Sequence, residues 1–401
     1  MKKIERVHNA LIRGPVDKFP VFISATPQFM KKALPSGKLG PNPSQIWNYC
    51  SELNLDIIQA GHPVFYPVKI LELKQGDTYL DKMGRNHIIK GYYDNFTAPF
   101  ALQSGEKLVD IEEIESSWNE YKFPDPEDPS WFEALKQIKR ENEKSQDPLS
   151  IWGVINGPLE PTWQLMSDGW PAFFILYRRA PELAREIINK VADFCIKAGQ
   201  AMIEHGVHAI RIGDDYALNE GLMTSTKVWK ELVYPAHQTL IKGLKEKGGK
   251  DFPVILHSDG NIMDILELLA TGDINGESNE EIHIDGLNPI QPDALEFEEV
   301  VNKIGDRLSM TGAFDLRYFL DPPNKDTRQQ METEIRRLFS IMRNFNGQQG
   351  NQIRSEKGPE RSDRSLLNTG FCIGPTHQIQ PRSYVDTFEM WIELIHQMNK
   401  H

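Results

Sequence analysis

The chain has 401 residues, of which 25% are charged and 39% hydrophobic, and a formal net charge of −12. That balance describes a globular chain with material for a sizeable core and argues against a nucleic-acid or anionic-membrane surface. No apolar run approaches the about 18 residues of a membrane helix, and the N-terminus lacks the apolar core of a secretory signal. Three distant cysteines, Cys50, Cys195 and Cys372, set no disulfide framework, so the cytoplasm is the expected compartment.

No repeat of about 20 to 50 residues is visible. MKKIERVHNALIRG reads as a short amphipathic helix stopped by Gly14-Pro15. Strands are expected at Pro20–Ser24 and Asp56–Ala60, the second running into Gly61-His62-Pro63. Turn residues and short β-like pieces between Leu73 and Leu108 read as hairpins, and the acidic, Pro-rich residues from Asp110 to Pro129 as a surface excursion. Together they make an insertion near 73–130. A third strand, Ser150–Asn156, ends at Gly157-Pro158. A helix is expected around Thr162–Met166 and another over Pro181–His205. The second aligns Leu183, Ile187, Ile188, Val191, Phe194 and Cys195 on one buried face, making Cys195 an inert core thiol.

The fourth strand, Ala209–Gly213, delivers Asp214-Asp215. Val254-Ile-Leu, entering from Pro253, reads as a fifth strand that turns polar at His257-Ser-Asp-Gly-Asn261 before the helical pattern Ile262–Leu269. A sixth strand over Ile284–Asn288 ends in Pro289-Ile-Gln291, and a seventh over Leu308–Gly312 ends in Ala313-Phe-Asp315. Residues 344–363 are polar and read as a mobile loop. An eighth strand, Thr369–Ile373, runs into Gly374-Pro-Thr-His-Gln378, and a helix over Tyr384–Met398 follows. Eight strands with mostly helical connections fit an α/β fold, a (β/α)8 TIM barrel in one domain, with a hairpin-rich N-terminal insertion and a polar loop before the last strand. A doubly wound sheet is the competitor, but no Gly-rich dinucleotide fingerprint follows the first strand.

Polar residues gather after the strands, at one mouth of such a barrel. Adjacent side chains leaving a strand point to opposite sides, so one of Asp214 and Asp215 faces a pocket and the other binds backbone amides. His257 and Asp259, two apart, share a side, where they suit a metal or a carboxylate-oriented imidazole. Cys372 and His377 leave the eighth strand toward the same mouth, and either would complete an open three-ligand zinc site. The plainer alternatives are that Asp214 and Asp215 are two solvated loop aspartates, that Asp259 or Asn261 only caps the next helix and that Cys372 only packs. Asn288, Gln291 and Gln378 offer neutral amides apt for orienting a polar ligand. Trp152, Trp163, Trp170, Phe173 and Phe174 read as core or pocket wall.

The segments NGPLEPTWQLM (156–166), GDDYALNEGLMTS (213–225), VILHSDGNI (254–262), GLNPIQP (286–292), TGAFD (311–315) and TGFCIGPTHQIQP (369–381) resemble the uroporphyrinogen decarboxylase superfamily. The resemblance implies a (β/α)8 barrel, and either a decarboxylase or a cobalamin-linked methyltransferase. Decarboxylases of the family carry arginines after the first strand, where this chain reads Ser24-Ala-Thr-Pro-Gln-Phe-Met30, an aspartate where Gly61-His62-Pro63 stands, and a tyrosine at the position of Asp168. A highly anionic tetrapyrrole needs cationic partners, so these departures favour the methyltransferase branch. Its zinc-dependent members use His-x-Cys at the fifth strand and a Cys at the eighth. Here His257 is kept, Asp259 replaces the first Cys, and Cys372 falls one residue late, after Phe371. The resemblance thus implies either Zn2+ on His257 and Asp259, with Cys372 in question, or a harder N/O site of His257, Asp259 and His377, with Asp214 or Asp215 as acid or base. It leaves Asn156, Asn288, Gln291, Asp315, His377 and Gln378 to hold the substrate. It implies a corrinoid on a separate corrinoid-binding protein as partner, with a small methylated substrate or methyl acceptor, and leaves a homodimer open. A carboxy-lyase and a non-catalytic tetrapyrrole-binding protein are the alternatives.

Overall fold

The computed structural model describes residues 1–34, 40–65, 74, 76–88, 95–97, 109–166, 169–273, 282–357, 367–368 and 370–399, with backbone alone for 95–97, 347–357 and 367–368. Asp168 and Thr369 lie outside the described residues. Seven parallel strands form one curled sheet: β1 (Ile57–Gly61), β2 (Ser150–Asn156), β3 (Ala209–Gly213), β4 (Val254–His257), β5 (Gly286–Asn288), β6 (Ser309–Thr311) and β7 (Phe371–Cys372). Each pairs with the next in chain order. The eighth place is filled without a ladder. Phe22 N donates to Ile373 O (3.0 Å), Ile373 N to Pro20 O (2.8 Å), and Asp56 N to Val21 O (2.9 Å). Pro20 has no amide hydrogen, and that of Val21 goes to the Asp56 carboxylate (2.9 Å), so the expected first strand survives only as bridges between β7 and β1. Helices Leu159–Gln164, Pro181–Glu204, Tyr234–Gly248, Leu266–Thr271, Phe297–Ile304 and Lys325–Lys357 lie in the connections, and Val385–Met398 follows β7. The architecture is an α/β TIM barrel.

Two-residue alternation decides what faces inward. On β3, Ile210 and Ile212 join the large core beneath the helices, whereas Ala209 packs with Ile57, Trp152, Ile255 and Cys372 inside the barrel. The N-terminal helix Lys3–Leu11 closes that end, adding Val7, Ala10 and Leu11 to the same cluster. Arg6 on its flank donates to Asp56 Oδ1 (2.6 Å) and to both oxygens of Asp17 (2.5 and 2.8 Å). Burying each large apolar side chain here is worth about 1.5–3 kcal/mol.

Three further expectations change. The region 110–129 is not merely an excursion: Ile111–Glu120 is a helix, capped by Asp110 and burying Ile114 and Trp118. Its apolar residues sit four apart, a spacing that outweighs the surrounding acids. The loop expected at 344–363 is helical as far as Lys357, because Lys325–Lys357 continues from a face anchored by Met331, Ile335, Leu338, Phe339 and Met342; residues 358–363 lie outside the described residues. Cys372 belongs to the closed end and not to the mouth. Burial, and then the nearby Asp56 carboxylate, push its thiol well above the usual range, the opposite of what a metal-binding thiolate requires. In the expected hairpin region, Thr78–Leu80, Asn86–Ile88 and Asn95–Thr97 form a three-stranded antiparallel sheet.

Candidate active site

Above the apolar closed end, the barrel interior turns polar. Arg211, inward on β3 and 7% exposed, donates from Nε to Asn288 Oδ1 (3.1 Å) on β5 and from Nη1 to Gln59 Oε1 (3.1 Å) on β1. Its Nη2 lies 2.6 Å from Nδ1 of His257 on β4, and that nitrogen is also 2.7 Å from Asn288 Oδ1. With Nδ1 engaged on the inner side, Nε2 of His257 is left for the mouth.

At the mouth, one ligand atom each from His257, Asp259 and His377 lies within 4.8 Å of the others. His377 Nε2 is 3.6 Å from Asp259 Oδ2, and the two imidazole rings are 5.8 Å apart, centroid to centroid. Burial, and next the Arg211 charge, lower the pKa of both histidines, keeping them neutral and able to offer lone pairs. Burial pushes Asp259 up to about 6 while Arg211 pulls it back. Two neutral imidazoles and a carboxylate fit zinc or a somewhat harder divalent cation with coordination positions left open, and no thiolate joins them.

The two aspartates after β3 divide as alternation requires. Asp214 is fully buried and accepts the amides of Leu159 (3.2 Å) and Glu160 (2.6 Å) at the start of the helix Leu159–Gln164. Burial pushes it up to about 7 against those hydrogen bonds. A β-carbon on Gly157 would stand 2.5 Å from the Asp214 carboxyl, so only glycine lets the two loops meet. Asp214 thus ties the loop after β3 to the start of the helix Leu159–Gln164. Asp215 accepts the Asp259 amide (2.9 Å) and is pushed up to about 6 by burial and by the Asp259 carboxylate. Asn261, not Asp259, makes the local turn, accepting the Met263 amide (3.1 Å).

The substrate-holding candidates scatter. Asn288 lies at the centre of the Arg211 layer. Asn156 is buried at the end of β2, and its Oδ1 has no hydrogen-bond partner among the described residues. Gln291 ties loops together, accepting from Gly260 N (2.9 Å) and donating to Asn219 Oδ1 (3.0 Å). Gly260 takes φ +81 with Ala217 O closing in behind it, a conformation suited to glycine at the turn carrying Asp259. Gln378 follows His377 at the mouth, half-buried. Asp315 is not part of the cluster. It caps the turn Leu316–Leu320 and binds Arg317 through both oxygens at the rim, a local pairing that a two-residue spacing favours.

The structure adds Arg211, Gln59 and Glu160 to the site. Arg211 had a readable signal: a lone arginine between Ile210 and Ile212 must face away from both, into the barrel. Glu160 accepts from Gln164 Nε2 (2.7 Å), and burial, then Asp215 and Asp214, push its pKa well up. Only the tertiary approach of β3 brings those carboxylates to it.

A family model described as uroporphyrinogen decarboxylase (URO-D) matches residues 103–347, well over half of the chain. The chain belongs to the uroporphyrinogen decarboxylase family. A uroporphyrinogen decarboxylase from Carboxydothermus hydrogenoformans is 27% identical over 159 residues, which cover 38% of this chain and 42% of that relative. Among solved structures, a methyltransferase from Methanosarcina mazei superposes with a TM-score of 0.67 over 99% of both chains at 16% identity, a likeness of fold. Among the described residues of this family member, no helix is long and apolar enough to cross a membrane.

Proposed function

We propose that this family member is a methyltransferase that moves a methyl group between a small substrate and a corrinoid carried on a separate protein. One observation carries the reading: His257, Asp259 and His377 converge at the barrel mouth as an N/O donor set. A divalent cation bound there would polarise a substrate heteroatom, the Lewis-acid role of zinc in enzymes. The protein's own groups do the rest. His257 and His377, held neutral, and Asp259 would hold the cation, and Asp215 fixes the Asp259 backbone. Pushed up to about 6 by burial and the Asp259 carboxylate, Asp215 can take the proton that a hydroxyl, thiol or amine acceptor gives up in the course of methylation. The plugged lower end leaves one route of approach, so a methyl donor and acceptor must meet in line at the mouth. The overlap with a decarboxylase sequence favours a second reading, release of carbon dioxide from a carboxylated substrate, with Arg211 the cation at hand.

The test combines metal analysis with assay. Chelator-treated protein should lose methyl transfer from methylcobalamin to a panel of thiol, amine and pterin acceptors, and zinc should restore it. His257→Ala should abolish both zinc binding and transfer while far-UV circular dichroism stays unchanged. Full activity in that variant sinks the reading, and carbon dioxide release from uroporphyrinogen III by the wild type would favour the second.

A further inference from the structure

Nδ1 of His257 faces two groups with opposite needs. Arg211 Nη2, at 2.6 Å, can only donate a hydrogen bond; Asn288 Oδ1, at 2.7 Å, can only accept one. Turning the amide round does not relieve the conflict. Asn288 Nδ2 donates to the Thr311 carbonyl (2.9 Å), and Oδ1 already receives Arg211 Nε (3.1 Å), so both ends are fixed by their other partners. Gln59 in turn steadies the guanidinium by accepting from Nη1 (3.1 Å). A neutral imidazole carries one ring proton, so Nδ1 serves one neighbour at a time. Accepting from Arg211 leaves the proton on Nε2, toward the mouth. Donating to Asn288 leaves Nε2 with a lone pair, the form that ligates a cation.

We propose that His257 is a two-position tautomer switch, set by Arg211 in the metal-free protein and by Asn288 when a cation sits at the mouth. The inference rests on the metal reading above for its second position only. In the first, the charged donor wins because charge-assisted hydrogen bonds are the stronger kind. When a cation takes Nε2, the proton leaving that nitrogen is balanced by one gained at Nδ1 and given to Asn288, with no net proton released. Arg211 and Asn288 are therefore positioning residues of opposite sense, the first opposing cation binding and the second favouring it. Residues that merely held the barrel together would not act oppositely.

Full-length protein labelled with 15N-histidine and freed of metal by chelation would be read by long-range proton–nitrogen NMR, with His257 assigned by loss of its signals in His257→Gln. The metal-free wild type should show a protonated Nε2 and a bare Nδ1, and zinc titration should exchange them. Arg211→Met should show Nδ1–H before any zinc is added. Tighter zinc binding in that variant could follow from removing a positive charge; the tautomer exchange could not. Asn288→Leu should weaken zinc by about 10- to 100-fold, the range for a partner behind a metal-bound histidine. Asn288→Asp, which keeps the acceptor, should restore it. An Nδ1–H ring in the metal-free wild type, or an unchanged tautomer in Arg211→Met, overturns the proposal. Failure of zinc to bind would sink the metal reading and the switch's second position, while the metal-free tautomers still decide the role of Arg211.

Discussion

Each end of the barrel buries an arginine, and the two are handled differently. At the closed end Arg6 meets carboxylates, Asp56 and Asp17, at 2.5–2.8 Å, and the pairing ties the N-terminal helix to the start of β1. Toward the mouth Arg211 donates to the side-chain oxygens of Gln59 and Asn288 and lies against the His257 ring, joining three more strands. A buried charge met by charge serves mainly to hold the chain; removing one partner is costly because the other is stranded. Arg211, hydrogen-bonded to side-chain amides, also extends its field to the titratable groups beside it. That field reaches Asp215, Asp259, His257 and His377, the groups whose proton affinities are shifted at the mouth.

Breaking the closed end should have the largest effect. Asp56→Ala leaves Arg6 buried without its innermost partner and should cost about 3–5 kcal/mol in urea unfolding. A loss below about 1 kcal/mol would mean that the apolar plug alone closes the barrel.

A pH series sharpens the contrast from the mouth side. Asp214 binds its proton more tightly when folded, near 7, than in the unfolded chain, near about 3.9. Its contribution to stability is therefore fully present below about pH 4 and is lost as pH rises through about 7. Each tenfold in proton affinity is about 1.4 kcal/mol, so the fall should amount to a few kcal/mol. Asp215 and Asp259, both pushed up to about 6, add to it in the same direction. Urea midpoints measured from pH 4.5 to 7.5 should decline, and less steeply in Asp214→Asn; an equal slope in that variant would assign the effect to the other carboxylates.

The smallest change expected is at Cys372. Replacement by alanine should leave zinc stoichiometry intact and lower stability by about 1 kcal/mol, the transfer cost of one small buried group. Loss of zinc in Cys372→Ala would return the thiol to the ligand set and undo the distinction between the two ends.

Much of this was legible along the chain because it depends on local spacing. Apolar runs bounded by turns mark all seven ladder strands within a residue or two, and a three-and-four spacing marks the helix Pro181–Glu204. Where reading failed, a distant partner intervened. Pro20–Ser24 looks like a strand, yet the carboxylate of Asp56 takes the Val21 amide that a ladder would use. The polar tail of Lys325–Lys357 looks like a loop, yet it extends a helix anchored by its own earlier apolar face.

By itself the sequence determined the barrel, its one polar mouth, and the placing of His257 and Asp259 on one side, since all three follow from period-two alternation at strand ends. Only the tertiary structure decided which groups share the cavity. It brought His377 beside Asp259 across more than a hundred residues, sent Cys372 to the opposite end, and set Arg211 against His257. The reason is geometric: barrel closure sets the height of each inward residue relative to strands remote in the chain, and no local pattern encodes that height.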